Sequence, residues 1–488
     1  MKIGERLRKA GHFIFGNSSY DAANYSPRRS RVPGSSPTDF KHDFQGGTRL
    51  EVVQRSRYLM KNSGLPRELR DLNILYGIGP EGLWPTPHLV EDSGWTADAK
   101  EYFRQWALKA DVTERFSFVE IQKLCSAAID TDGEIFPIKT RNRATGECRL
   151  QLLETHRVGN FLDNGSKDER WVDGIRVDAA GKPIAIKVLL DNGKTRNIPW
   201  SYVMHLFDPE SPSAYRHAPT LTHSVNHLLD EIELLALEKH AVKDNADIAR
   251  VLKTEGGSLD DSGDFSVTGG SDDVPDGTDP KALQKIVGGK IVAIHPHEDI
   301  SAYESNRPSP TFTGFLDHLR RDSSLGAVPY EFAVNPSDST GPAIRMIVAK
   351  AQRRFRQRTE IITNRLVRPT WFYVIGTAID RGELPAIKHW SKVRVTPPKD
   401  ITVDSGRDSE ANRRDVRMGL KLPTDSYEEQ GQDFLESMET KAKLIKAVEE
   451  IAEREGVDPN QLFDFMVTAD GKAKQGSSGT APSAGNPE

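Results

Sequence analysis

Apolar residues recur along this chain at two spacings, one helical and one alternating, and the points where the spacing changes divide it. Leu50, Val53, Tyr58, Leu69, Leu72 and Leu75 predict two helices broken at Gly64-Leu65-Pro66. A further helix is predicted from about Ala97 to Leu108, with Tyr102, Phe103 and Trp106 on its buried face. Short strand patterns follow. Ala127 to Ile138 reads as strand, turn and strand around Asp130-Thr131-Asp132-Gly133. Next come Leu150-Gln151-Leu152-Leu153, a hairpin from Gly174–Val177 to Ile184–Val188 turned at Ala180-Gly181, and Tyr202 to Phe207. Mixed short strands after helices predict an α+β module.

The helical period then returns. Leu221, Val225, Leu228, Leu229, Ile232 and Leu235 predict a long helix opening just after Pro219, which suits a first turn. Reaching Lys243, it would be about 37 Å long. Lys290 to Ile294 reads as a strand, Thr311 to Ser323 as a helix, and Val328 to Pro342 as a polar loop. A second long helix is predicted from about Ala343 to Val367, and past Pro397-Pro398 the pattern is helical and charged. Three segments lack periodicity. Residues 1–45 pair a basic amphipathic stretch, Lys2 to Phe15, with a Pro/Ser-rich run, and predict an arm that orders only against a neighbour. Glu255 to Pro280 holds seven aspartates and no Lys or Arg, and reads as an acidic mobile loop. Residues 469–488 read as a disordered Gly/Ser/Pro tail. No internal repeat is visible.

Composition sharpens this picture. At 488 residues the chain should form two to four modules, and 36% hydrophobic against 28% charged residues is a thin core for that size. Such a chain tends to finish its burial against partners. No stretch approaches the roughly 20 apolar residues of a membrane span, and Met1 to Arg6 lacks a secretory pattern, so a cytosol-like setting and no membrane partner are expected. Cys125 and Cys148 are the only cysteines, which excludes a disulfide framework. A net charge of −5 and a pI near 6.3 argue against tight phosphate grip.

Candidate chemistry is sparse. Gly77-Ile78-Gly79-Pro80-Glu81-Gly82 satisfies G-x-G-x-x-G but follows a helix and contains a proline, so it reads as a helix exit. Asp130, Asp132 and Glu134 could hold a divalent metal for a nuclease, the main enzymatic alternative; an ordinary Asp-Gly turn is favoured because no second acidic set accompanies them. His223 and His227 are four apart, yet no third ligand is evident, and they read as solvated or interface histidines. G-x-S-x-G and G-x-x-x-x-G-K-[ST] are absent, so no enzyme activity and no cofactor is expected. The second long helix carries Arg345, Lys350, Arg353, Arg354, Arg356 and Arg358, while the first bears Asp230, Glu231, Glu233 and Glu238. Unlike, complementary faces on one chain are what a cyclic ring of identical subunits needs. A solvated face is the ordinary reading of such charges and DNA contact another for the arginines; pairing between subunits competes with both, and its candidate residues are Asp230, Glu231, Glu233, Arg353, Arg354 and Arg356.

Several segments, in order from about residue 48 to 440, resemble the lambda-type portal proteins of tailed bacteriophages. Arg55-Ser56-Arg57-Tyr58-Leu59-Met60-Lys61-Asn62 is similar to the family's R-S-R-x-L-x-x-N, Asp132-Gly133-Glu134-Ile135-Phe136 to its D-G-E-x-F, and Leu150-Gln151-Leu152 to its L-Q-L. Val203-Met204-His205-Leu206-Phe207 resembles its V-x-H-x-F, and Leu325 to Glu331 its G-x-P-Y-E. The family's R-G-x-P appears as Arg216-His217-Ala218-Pro219, without the glycine, and its N-Y-S-S-A-R run keeps only Ala343 and Arg345.

The resemblance implies a portal-like fold: wing (46–218), stem helix (219–243), clip (244–308, with the acidic loop 255–280), and second stem helix (309–325). Tunnel loop (326–342), long helix and rest of wing (343–405), and helical crown (406–468) follow. It implies a dodecameric ring at one capsid vertex of the virion, a channel for double-stranded DNA packaging and ejection, and contacts with the terminase large subunit, major capsid and scaffold proteins, and neck proteins. Asn335, Ser337, Asp338, Ser339 and Thr340 would then face DNA. A virion adaptor without a channel is the non-enzymatic alternative.

Overall fold

The computed structural model describes residues 39–88, 92–142, 145–159, 171–247, 250–253, 258–259, 265–266, 291–294, 310–334, 340–401, 405–428, 432 and 434–458. Within them the fold is α+β. A single turn, α1 (Phe40–Asp43), leads into α2 (Gly46–Asn62) and α3 (Gly64–Gly77). The break falls at Ser63, and Pro66 sits in the first turn of α3, where its missing N–H would have had no helical acceptor. Val53, Leu69 and Leu72 are buried as expected and Leu50 is half-buried, whereas Tyr58 and Leu75 face solvent. Gly77 closes α3 and Gly79 follows at a φ of 79°, so the glycine run is a helix exit.

β1 (Pro85–Pro87) pairs antiparallel with β13 (Val393–Val395), and α4 (Ser93–Ala107) buries Phe103 and Trp106. The next element corrects the sequence reading. Ala127 to Asp132 is not a strand but the end of α5 (Phe118–Asp132). Its N-terminus is fixed by a capping box, with Ser117 accepting from the Glu120 N–H while the Glu120 carboxylate accepts from the Ser117 N–H. Gly133 ends it in the left-handed conformation, so the Asp-Gly pair is a helix terminus rather than a hairpin turn.

β2 (Glu134–Arg141) then forms the centre of an antiparallel sheet between β3 (Cys148–Glu154) and β8 (Leu206–Phe207), with Phe136 opposite Leu153. Of the strand expected from Tyr202, only β8 forms, because Trp200–Tyr202 is a 3-10 turn. A second antiparallel sheet has the order β4 (Trp171–Val172), β5 (Ile175–Val177), β6 (Pro183–Leu189), β7 (Thr195–Pro199). The expected hairpin supplies its middle pair.

The long helix α6 (Val225–Asp247) starts later than expected. The Pro219 carbonyl accepts from the Thr222 N–H in a turn leading into the 3-10 segment Thr222–Ser224. β9 (Arg250–Lys253) pairs in parallel with β12 (Ile291–Ile294), and β10 (Ser258–Leu259) pairs with β11 (Phe265–Ser266) inside the acidic stretch. The rest of that stretch, residues 1–38 and residues 459–488 lie outside the described residues. α7 (Pro310–Ser324) packs beside α6, and α8 (Tyr330–Ala333) occupies part of the expected loop. α9 (Gly341–Ile362) does not stop at Val367 but passes through a π turn, Thr363–Val367, into α10 (Arg368–Asp380). Pro369 cannot donate a backbone hydrogen bond, and the wider turn ahead of it accommodates that gap. α11 (Ser405–Arg417), α12 (Pro423–Glu428) and α13 (Phe434–Glu455) complete the described chain.

Three buried clusters hold these elements. Phe103, Trp106, Phe118 and Trp371 centre the first, joining α4, α5 and α10. Leu59, Leu72, Val225, Leu228 and Phe355 join α2, α3, α6 and α9. Phe136, Leu153, Ile175 and Ile186 join the two sheets.

Candidate functional site

The three carboxylates singled out as a metal set do not converge on an ion site, because each faces its own arginine. Asp130, on the last turn of α5, accepts from Arg358 of α9 at 2.6 Å, from Thr220 at 2.8 Å and from Asn73 at 3.1 Å. Asp132 receives Arg57 of α2 in a two-pronged pair at 2.7 and 2.5 Å. Glu134, fully buried at the start of β2, accepts from Arg216 at 2.6 Å and from the Thr155 hydroxyl at 2.7 Å, with His205 Nε2 at 2.8 Å. Among the described residues no group of His, Cys, Asp and Glu could hold a metal.

Arg216 anchors a wider lattice. Its guanidinium also donates to the carbonyls of Val158 at 2.9 Å and Asp173 at 2.5 Å. Arg49 of α2, equally buried, donates to Asp173 at 2.6 Å and to the Thr155 hydroxyl at 3.1 Å. Two arginines thus share Thr155, Val158 and Asp173, and both carry carboxylate partners, the condition under which buried charge is tolerated. Burial alone would push Glu134 upward; the Arg216 charge and the hydrogen bonds from His205 and Arg216 outweigh it and hold the carboxyl well below the usual range. Burial depresses His205, against the opposing pull of Glu134.

The residue standing where the family motif has glycine is His217. Its ring stacks on Phe207 with centroids 3.6 Å apart, and burial pushes its pKa down to about 3. Its carbonyl lies 2.2 Å from where a Cβ on Gly133 would sit. The turn that the missing glycine left open is therefore closed against Gly133, whose lack of a side chain permits the approach.

The interface candidates separate. Glu231 is buried and accepts from Arg320 of α7 at 2.7 Å, so it is engaged within the chain, contrary to its expected place on a free acidic face. Asp230 and Glu233 are exposed. Arg356 pairs with Asp400, Arg354 lies 3.8 Å from Asp208, and Arg353 is exposed with no ion pair among the described residues. His223 and His227 are exposed, with His227 3.9 Å from Asp322. Of the proposed DNA-facing residues, Asn335, Ser337, Asp338 and Ser339 lie outside the described residues, and Thr340 is the exposed N-cap of α9. Sequence reasoning missed Arg49, Asp173 and Thr155 altogether; a left-handed Asp173 at φ 40° ahead of Gly174 has no marker beyond the Asp-Gly pair.

No described helix is long and apolar enough to cross a membrane. No curated protein matches the chain. Among solved structures, chains from the neck of a native gene transfer agent particle, computed with C12 symmetry, align at 12% identity over 79% of this chain and 93% of theirs, with a TM-score of 0.43. A chain of the native gene transfer agent virion aligns at 11% identity over 80% of this chain and 94% of its own, with a TM-score of 0.40. The model of the phage portal protein, lambda family, matches residues 28–359. Since that match spans about two thirds of the sequence and takes in Asp130, Asp132, Glu134 and Asp173 with their arginine partners, the chain belongs to the lambda family of phage portal proteins.

Proposed function

We propose that this protein assembles with copies of itself into a ring at one capsid vertex of a virion, and that double-stranded DNA passes through the central hole during packaging and ejection. Family membership over residues 28–359 carries the reading. The shape of α6 supports it: between Glu233 and Lys243 no residue is buried in the protomer, and Leu237 and Val242 are exposed there. Apolar residues at that density on a projecting helix are what neighbouring subunits cover in a closed ring.

In this reading 46–218 forms the wing, 219–243 and 309–325 the stem, 244–308 the clip, 326–342 the tunnel loop, 343–405 the long helix and the rest of the wing, and 406–468 the crown. Asp230, Glu233 and Arg353 remain free for contacts between subunits. The polar groups from Asn335 to Thr340 touch phosphates weakly and without sequence preference, so DNA slides. The terminase large subunit, capsid and scaffold proteins, and neck proteins dock on the outer surfaces, and the chain itself performs no catalysis. Negative-stain images of the purified protein, alone and co-expressed with capsid components, test the proposal. Rings with a stain-filled centre are expected, and a monomer under every assembly condition would overturn it.

A further inference from the structure

Beside the Arg216 lattice the surface opens into a cleft of about 480 Å³, within the roughly 300–1,000 Å³ typical of small-ligand sites. Trp200, Phe207 and Tyr215 supply aromatic walls, and Lys139, Arg365 and His217 supply the polar groups. The charge balance here differs from that of the neighbouring lattice. Lys139 donates only to the Ser201 carbonyl at 3.4 Å, and Arg365 lies 3.7 Å over the Phe207 ring and donates to the His205 carbonyl at 3.4 Å. Neither has a carboxylate within ion-pair distance among the described residues, although burial depresses both. Glu134, the nearby buried acid, is turned to Arg216 and His205. His217 is buried with both ring nitrogens lacking a hydrogen-bond partner among the described residues. Two partly desolvated cations and an unpaired imidazole around aromatic walls form a cleft short of one anion.

We propose that this cleft binds an aromatic carboxylate, its ring against Trp200 and Tyr215 and its carboxylate held by Lys139 and Arg365, which Phe207 helps to position from below. The proposal does not rest on ring assembly. The group could arrive as a free small molecule or as the C-terminal aromatic residue of a polypeptide. Isothermal titration of the full chain with N-acetyl-phenylalanine, with its amide, and with a pentapeptide ending in a free phenylalanine tests it. The acid is expected to bind at least about tenfold more tightly than the amide, since a charge-assisted bond is worth that much or more. Lys139→Gln and Arg365→Gln should each weaken the acid several-fold, and rising salt should weaken it further. Because Arg365→Gln removes the cation over Phe207, Lys139→Gln is the deciding variant, with an unchanged melting temperature as its control. Binding of the pentapeptide as tightly as the free acid supports the site with a polypeptide source, and its exclusion supports the site with a small-molecule source. Equal binding of acid and amide, indifference to Lys139→Gln, or no saturable binding at millimolar concentration overturns the proposal.

Discussion

The lattice around Glu134 and the outer half of α6 are built on opposite principles. In the first, charges are taken out of water and every one is answered within the protomer: Glu134 by Arg216 and His205, Asp130 by Arg358, Asp132 by Arg57. In the second, Leu237 and Val242 stand in water, and from Glu233 to Lys243 every residue is exposed or only half-buried. The first region is complete as a monomer and the second is not. Stability of the single chain and competence to assemble should therefore be separable by mutation.

The largest effect is expected from Arg216→Ala. It removes the arginine charge from Glu134, leaving only His205 and the Thr155 hydroxyl as its partners in a fully buried position, and should cost about 3–5 kcal/mol, read as a lowered denaturant midpoint. A retained midpoint would mean that the lattice does not hold the two sheets and α2 together. Gly133→Ala comes next. A methyl there meets the His217 carbonyl in a left-handed backbone, adding overpacking of about 1–3 kcal/mol to a conformational penalty of about 1–2 kcal/mol.

Acid should weaken the lattice region selectively. The folded pKa of His217 is pushed down to about 3 from an ordinary 6.5, so over that interval the unfolded chain binds the extra proton and stability falls as pH falls. Glu134, also depressed, adds to the loss only below its ordinary range near 4.5. Melting temperature measured from pH 7 to 4 should drop, and His217→Phe, which keeps a ring to stack on Phe207, should flatten the upper part of that slope. An identical slope in the variant would remove His217 from the account. The smallest effect on the protomer is expected from Leu237→Glu and Arg353→Glu, within about 0.5 kcal/mol, since both residues are exposed. Their effect should appear in light scattering as a lower assembled mass, and unchanged assembly in both variants would mean these positions are simply solvated.

Much of the fold was legible in residue spacing. The helix pair α2–α3, the hairpin of β5 and β6, and α7 follow their apolar periods because one face of each packs on a core. The main departure has a local cause. Ala127 to Asp132 reads as a strand because Asp132-Gly133 also ends hairpins, although Ile121, Cys125 and Ile129 recur at helical spacing and Ser117-x-x-Glu120 marks the helix start. The candidate site was legible only as residue types. Arg57, Asp132, Glu134 and Arg216 stand out in the motifs, yet that they bind one another depends on partners 75 and 82 positions apart, which no local spacing encodes.

The unbroken run from α9 through the π turn into α10 joins two of the three cores, with Phe355 seated in one and Trp371 in the other. Such a strut carries load along its length. A load applied at Thr340 would meet one continuous helical path past Phe355 to the aromatic nest around Trp371, interrupted only by the widened turn before Pro369.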